Sequence, residues 1–343
     1  MSVTIRKIAE DLQLAVSTVS KALRDSHEIS PETKQRVFSY AQKLDYIPNL
    51  YASSLKKRKT GNIAVVLPEV ADSFFSQAIN GIEAIAQEKG YHVMIYLTHE
   101  DLRKEESILR EFRSGRVDGV LISVSGGADS NSHIHDLCAR NIPLVFFDRA
   151  CEGIDASKVL TDDFESGFKA AQLLIEKGCT KIAFLAMSET LAIINHRQHG
   201  YEEALRQHGG LQPCNLPCSN VESESYALIR ETLASGTNRP DGIVGSVEKL
   251  ATLVYTVCND LNLNIPRDIK VIGFSSLQIA SLLNPSLTTI TQPAFNMGKA
   301  AATFLFDTLE KKNTSLKTDT IILPSQLIER KSTENKEEIG FRR

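Results

Sequence analysis

No stretch of this 343-residue chain runs to ~18 apolar residues, the length that a bilayer-spanning helix needs, so no membrane span is expected. The N-terminus carries Arg6, Lys7, Glu10 and Asp11 and has no apolar segment of the secretory kind, so no signal peptide is expected. Cysteine is sparse and scattered, at positions 138, 151, 179, 214, 218 and 258. Only Cys214 and Cys218 lie close together, and no second Cys or His pair at zinc-ligand spacing accompanies them. That pattern points to reduced thiols in a cytoplasmic protein, with no structural metal. Also missing are a P-loop, G-x-G-x-x-G, G-x-S-x-G and H-E-x-x-H, so nothing in the sequence supports an enzyme or a bound cofactor. His133 and His135 stand one residue apart in an expected loop or helix start, a spacing that suits a surface pair better than a metal site.

Net charge is low, at −3, but it is unevenly placed. Residues 1–60 hold 11 Lys and Arg against 6 Asp and Glu, and the remaining residues hold 28 against 36. A small basic head on a larger acidic body suits a head that meets a polyanion. The 42% hydrophobic and 24% charged content is that of an ordinary globular protein, and the length allows roughly two or three domains.

The head reads as short helices. Ile5, Ile8, Ala9 and Leu12 form one apolar stripe on a helix that Thr4 can cap. Gln13, Leu14 and Ala15 leave room only for a turn. Val16, Val19 and Leu23 then repeat the stripe on a second helix. A third begins at Ser30-Pro31, buries Val37, Ala41 and Leu44, and must stop near Ile47, because Pro48 disfavours helical angles before it. This is the pattern of a helix-turn-helix. With Val19 and Leu23 inward, Ser17, Thr18 and Lys21 point outward, where short hydroxyls and an ammonium can reach bases and phosphates. A plain three-helix bundle with a serine-rich face is the alternative. Next comes a possible cap at Asn49, a helix of under three turns with apolar Leu50, Ala52 and Leu55, and four cations at 56–59. A helix that short is marginal alone, and a hinge that folds on DNA would give its apolar face and its cations their partners. Ser53-x-x-Lys56 and Lys59-Thr60-Gly61 mimic motifs of penicillin-recognising enzymes, but they are nearly adjacent in a basic linker and read as chance.

From Asn62 onward, Val- and Ile-rich runs at 63–67, 92–97, 119–124, 144–147, 182–186, 242–245 and 271–274 alternate with amphipathic helical segments. One such segment has Phe75, Ile79, Ile82 and Ala86 on a single face, and another has Phe168, Ala171, Leu174 and Ile175. Alternation of this kind predicts doubly wound parallel sheets, and the length suggests two lobes. Ligands of such folds bind outside the carboxyl ends of the strands, here the loops at 68–73, 125–129, 148–149, 187–197, 246–248 and 275–276.

Several stretches together, in order, give the chain a family likeness: "VTIRKIAEDLQLAVSTVSKAL", "ISPETKQRVFSYAQKLDYIPN", "LYASSLKK", "SFFSQAINGIEAIAQEKGY", "RQHGYEEAL", "NIPRDIKVIGF" and "LLNPSLTTITQP". Over roughly residues 3–330 the chain resembles transcription regulators of the lactose and galactose repressor family. The resemblance implies an all-α helix-turn-helix DNA-binding head at 1–47 and a hinge helix at 48–61. It also implies a two-lobed α/β core at 62–330, similar to type I periplasmic binding proteins. The lobes would span about 62–160 with 291–318, and 161–288 with 319–330, and a charged tail at 331–343 would follow. The chain would cross between lobes near 148–160, 286–290 and 316–322. The implied DNA contacts are Thr4, Val16, Ser17, Thr18, Ser20, Lys21, Asn49, Ala52, Leu55, Lys56 and Lys57, with Leu55 entering the minor groove. Ala15 departs from the family's small hydroxyl, and Gln13 replaces its usual glycine.

The implied effector cleft departs further. Phe74, Phe75, Asp148, Arg149, Asp162 and Arg197 match positions lining or supporting it. Val247-Glu248, however, stands where the family has Asn-Asp, and Ser275 where it has aspartate. Leu191, Ile193 and Ile194 occupy a loop that often holds polar ligand contacts. Buried sugar hydroxyls need partners, so three readings stay open: a different small molecule, a sugar or sugar derivative held differently, or a core that senses a protein corepressor. Arg197 and the Asp148-Arg149 pair could also be structural ion pairs. The expected partners are a pseudo-palindromic double-stranded operator, a small-molecule effector and a second copy of the chain, at a cytoplasmic, nucleoid-associated address.

Overall fold

The computed structural model describes residues 4–46, 59–126, 131–187, 191–310 and 318–335. They fall into two compact units divided between Thr60 and Gly61.

The first unit contains α1 (Ile5–Asp11), α2 (Val16–Leu23) and α3 (Pro31–Lys43). Thr4 caps α1 by accepting the Lys7 N–H at 3.3 Å, and Ser30 caps α3 by accepting the Thr33 N–H at 3.3 Å ahead of Pro31. Ile8, Ala9, Val19, Ala22, Val37 and Ala41 form the small core. The stripe expected on α2 is corrected at one position. Val16 is 43% exposed, and Ala22 takes the inward place beside Val19. Val16 is the first residue of its helix. Gln13 sits at φ +52°, the left-handed turn conformation that glycine would adopt without strain. Helix α3 ends at Lys43, capped by Leu44, before the expected stop near Ile47.

The second unit is built on two six-stranded sheets. The first contains β1 (Asn62–Leu67), β2 (His92–Leu97), β3 (Gly119–Ile122), β4 (Leu144–Phe147), β5 (Ser157–Thr161) and β11 (Thr320–Leu323), in the order β11-β5-β4-β3-β1-β2 and parallel throughout. Helices α4 (Ser73–Glu88) and α11 (Ala294–Glu310) pack on one face, and α5 (Leu102–Phe112) and α6 (Ser132–Cys138) on the other.

The second sheet contains β6 (Ile182–Ala186), β7 (Cys214–Pro217), β8 (Gly242–Gly245), β9 (Lys270–Phe274), β10 (Thr288–Thr291) and β12 (Gln326–Ile328). Its order is β12-β10-β9-β8-β6-β7, with only β12 antiparallel to its neighbour. Helices α7 (Asp163–Glu176) and α8 (Ala192–Gln207) cover one face, α9 (Glu222–Ala234) and α10 (Glu248–Asp260) the other.

The expected head and doubly wound two-lobed core are therefore present. The crossings between lobes are shifted. They occur at 162, at 292–293 and at 324–325, each just beyond a strand that reaches the carboxyl edge of its sheet. Residues 320–323 pair with β5 in the first lobe and not, as expected, with the second.

Candidate DNA-reading helix and inter-lobe cleft

Helix α2 offers its polar side outward because Val19 and Ala22 hold the opposite side in the head's core. Val16, Ser17 and Lys21 are exposed, and Thr18 and Ser20 are half-buried. Ala15 stands at the N-cap and supplies no side-chain bond. The Lys21 ammonium pairs with the Glu28 carboxylate, and both groups are about half exposed. Thr4 is exposed as well as capping. Asn49, Ala52, Leu55, Lys56 and Lys57 lie outside the described residues.

In the core, loops following β1, β4, β6, β8, β9 and β10 converge at the carboxyl ends of both sheets. They border a half-open cavity of about 40 Å³ lined from the first lobe by Asp72, Phe74, Phe75, Asp148 and Arg149. The second lobe contributes Ile193, Arg197, Val247, Glu248, Phe274, Ser275 and Ser276. Phe74, Phe75, Asp148, Arg149, Arg197, Val247 and Ser275, all expected at the effector site, thus border one cavity. Residue 162 does not; Asp162 instead accepts the Ser166 hydroxyl and the Ser325 N–H beside the crossings.

Both arginines are engaged. Arg197 is buried, donates from Nε to Asp163 Oδ1 at 2.7 Å and from a terminal nitrogen to the Ser246 carbonyl at 2.7 Å, and lies 4.3 Å from the Phe274 ring centre. Arg149 donates to both Glu100 oxygens at 2.8 Å and approaches Asp148 at 3.5 Å. Asp148 adopts φ +63°, accepts the Ser123 hydroxyl at 3.1 Å, and is raised above the usual carboxylate range because burial outweighs its neighbouring guanidinium groups. The ion-pair alternatives for Arg197 and Asp148-Arg149 are realised in this conformation.

Glu248 joins the lobes. Its carboxylate accepts the Ser73 hydroxyl and, at 3.4 Å, the Ser73 N–H from the first lobe, and the Ser275 hydroxyl at 2.6 Å from its own. Gln77 Nε2 donates to the Ser276 carbonyl at 2.7 Å, and Gln292 Nε2 to Thr161 Oγ1 at 3.2 Å. Asp72 caps α4 by accepting the Phe74 N–H at 2.8 Å. Burial and the adjacent charge of Glu248 push its carboxyl up to about 6.

Two expectations about this region need correction. Residues from Ala192 onward belong to α8, not to a loop, and Ile194 is buried in the second lobe's core with Leu191. The apolar side chains there pack the helix onto the sheet. His133 is no surface residue either. It is half-buried at the start of α6, its side chain 8% exposed, with Nε2 2.8 Å from Glu105, a carboxylate that also accepts the Ser125 N–H. Sequence reasoning passed over Asp72, Ser73, Gln77, Asp163, Ser276 and Gln292. Position in the strand-end loops was the one available signal, for Asp72, Ser73 and Ser276.

Among the described residues no group of three or more His, Cys, Asp or Glu is placed to hold a metal ion, and no helix is long and apolar enough to cross a membrane. All six cysteines are free, and burial pushes the Cys179 and Cys258 thiols up to about 12.

Residues 4–49 match the model for bacterial regulatory proteins of the lacI family, and residues 171–333 match that for a periplasmic binding protein-like domain. The ribose operon repressor of Bacillus subtilis (strain 168) is 30% identical over 335 residues, covering 96% of this chain and 98% of that protein. A LacI family transcriptional regulator from Enterococcus faecium with bound ribose superposes with a TM-score of 0.70 at 26% identity, covering 79% of this chain and 98% of that one. The lac repressor dimer bound to operator and the anti-inducer ONPF gives a TM-score of 0.83 at 21% identity, over 97% and 99%.

Proposed function

The chain belongs to the lacI family of bacterial regulatory proteins, and from that premise we propose a homodimeric repressor of a carbohydrate-related operon whose hold on DNA is set by a small molecule bound between the lobes. The observation that carries this reading is the cavity at the facing carboxyl ends of two sheets, where Phe74, Phe75, Asp148, Arg149, Arg197, Val247 and Ser275 meet. At about 40 Å³ it holds a water or two, whereas pockets for small molecules start near ~300 Å³. A ligand therefore requires the lobes to part and the Glu248 bridge to break, and it would then stabilise an arrangement different from this one. That difference in lobe arrangement is what an effector can act on. The ribose named with one structural relative supports a sugar or sugar derivative as the effector.

Ser17, Thr18 and Lys21 on α2 are the residues proposed to choose the sequence, and the cations at 56–59 to hold phosphates. A second copy is supported by apolar side chains left exposed on both lobes: Met94 and Ile95 on edge strand β2, and Ile279 and Leu282 after β9, Leu282 being 78% exposed. Two heads would then read two half-sites of a pseudo-palindrome in the cytoplasm, on the nucleoid. The function proposed is regulation, not catalysis.

The test is selection of genomic fragments by the purified protein, followed by anisotropy on the recovered operator. Raising salt from ~50 to ~200 mM is expected to weaken binding by orders of magnitude. Lys21→Ala is expected to relax preference at particular base pairs by ~1–3 kcal/mol, and Lys57→Ala to weaken all sequences alike. Salt-independent binding, or an unchanged sequence preference in Lys21→Ala, would contradict the assignment.

A further inference from the structure

The charges around the cavity do not balance. Arg197 is matched by Asp163, and Arg149 by Glu100 and Asp148. Asp72 from the first lobe and Glu248 from the second remain, both lining the same cavity. The bonds they accept come from neutral donors: the Phe74 N–H for Asp72, and the Ser73 and Ser275 groups for Glu248. Among the described residues no Lys or Arg forms an ion pair with either carboxylate. The two charges repel one another, which is one reason that Asp72 holds its proton more tightly than a free aspartate.

A neutral ligand entering here could offer hydroxyl donors to both carboxylates but would leave their negative charge uncompensated, in a site walled by Phe74, Phe75 and Phe274. A ligand with an ammonium group would meet both carboxylates with charge-assisted hydrogen bonds and remove their repulsion. It would also replace the Ser73 donors that Glu248 loses when the lobes part.

Taking the cleft as the effector site, we propose that it accepts a small polar molecule bearing a protonated amine, of the amino-sugar class, between Asp72 and Glu248, and that Glu248 selects for that charge.

Calorimetric titration of the full chain at neutral pH tests this with two matched pairs, D-glucosamine against D-glucose and D-galactosamine against D-galactose. Within each pair a single ammonium replaces a hydroxyl. The amine of at least one pair is expected to bind about tenfold or more tightly than its neutral counterpart. Glu248→Gln, which keeps an acceptor for the serines, is expected to abolish that preference, and Glu248→Asp to retain it. Melting curves establish that both variants fold. Equal or tighter binding of the neutral sugars overturns the charge selection while leaving the cleft as an effector site. A preference that survives in Glu248→Gln overturns the role of Glu248. If none of the four binds at millimolar concentration, the amine proposal is overturned. The reading of the cleft as an effector site falls with it only if no other small molecule alters operator affinity.

Discussion

Arg197 and Asp163 are 34 positions apart in sequence and 2.7 Å apart in the structure, both almost fully buried. Removing the guanidinium strands a carboxylate away from water and strips the Ser246 carbonyl of a donor. Arg197→Ala is therefore expected to cost ~3–5 kcal/mol in urea unfolding, and the double change Arg197→Gln with Asp163→Asn to cost less. A loss under ~1 kcal/mol would show that the pair is not desolvated as drawn. Asp72 makes the opposite kind of contribution. Its folded carboxyl titrates near 6 against an ordinary 3.8. As pH rises through that window the unfolded chain releases its proton first, so this group lowers stability progressively and the loss is complete above about 6. Asp72→Asn keeps the cap on Phe74. It is expected to match the unmutated protein near the acid end of the window and to exceed it by ~1–2 kcal/mol at neutral pH. Thermal melts across that range check the slope. Residue by residue, the sequence disclosed those positions whose role depends on their own type and neighbours, such as Thr4 at a cap or Val19 on a stripe. It could not disclose Asp163 as the partner of Arg197, or Ser73 as the partner of Glu248 across 175 positions, because those pairings exist only after both lobes have formed.

Among the elements, α7 and α8 cross at two glycines. A methyl group at Gly200 would overlap the Phe164 carbonyl oxygen and lie 2.8 Å from the Phe168 nitrogen, and one at Gly167 would overlap the Arg197 carbonyl oxygen. The same closeness recurs in the first lobe, where Gly81 and Gly298 let α4 and α11 touch. The α7–α8 crossing brings Arg197 on α8 beside Asp163 at the start of α7. Gly200→Ala must push these helices apart, with an expected loss of ~1–3 kcal/mol and a weaker Arg197–Asp163 bond. A variant as stable as its parent in denaturant titration would show that the crossing has slack. Long buried strands such as β1, with five of its six residues buried, were legible as apolar runs. The edge strand β7 alternates only between half-buried and exposed positions and carries too little apolar signal. Strand β10 is concealed for another reason. Its buried Thr288 and Thr289 satisfy their hydroxyls through Thr333, Thr291 and Arg330, so a polar sequence fills a core strand.

At the scale of the whole molecule, the division of charge between a basic head and an acidic body was visible from composition, and the division of the core into lobes from length and alternation. The crossing points were misplaced by a few residues because β5, β10 and β11 were not recognised as strands. The lobes meet through Glu248, Gln77 and Gln292, and the proposed effector, larger than the 40 Å³ cavity, would break the first of these contacts. The account therefore requires coupling between cleft occupancy and DNA affinity. Fluorescence anisotropy of the labelled operator, titrated with the full chain in the presence of a panel of neutral and amine-bearing small molecules, measures that coupling. At least one molecule should change operator affinity 5- to 150-fold, roughly 1–3 kcal/mol, and Glu248→Gln should diminish its effect. Operator affinity unmoved by every small molecule, or moved equally in Glu248→Gln, would contradict control through this cleft.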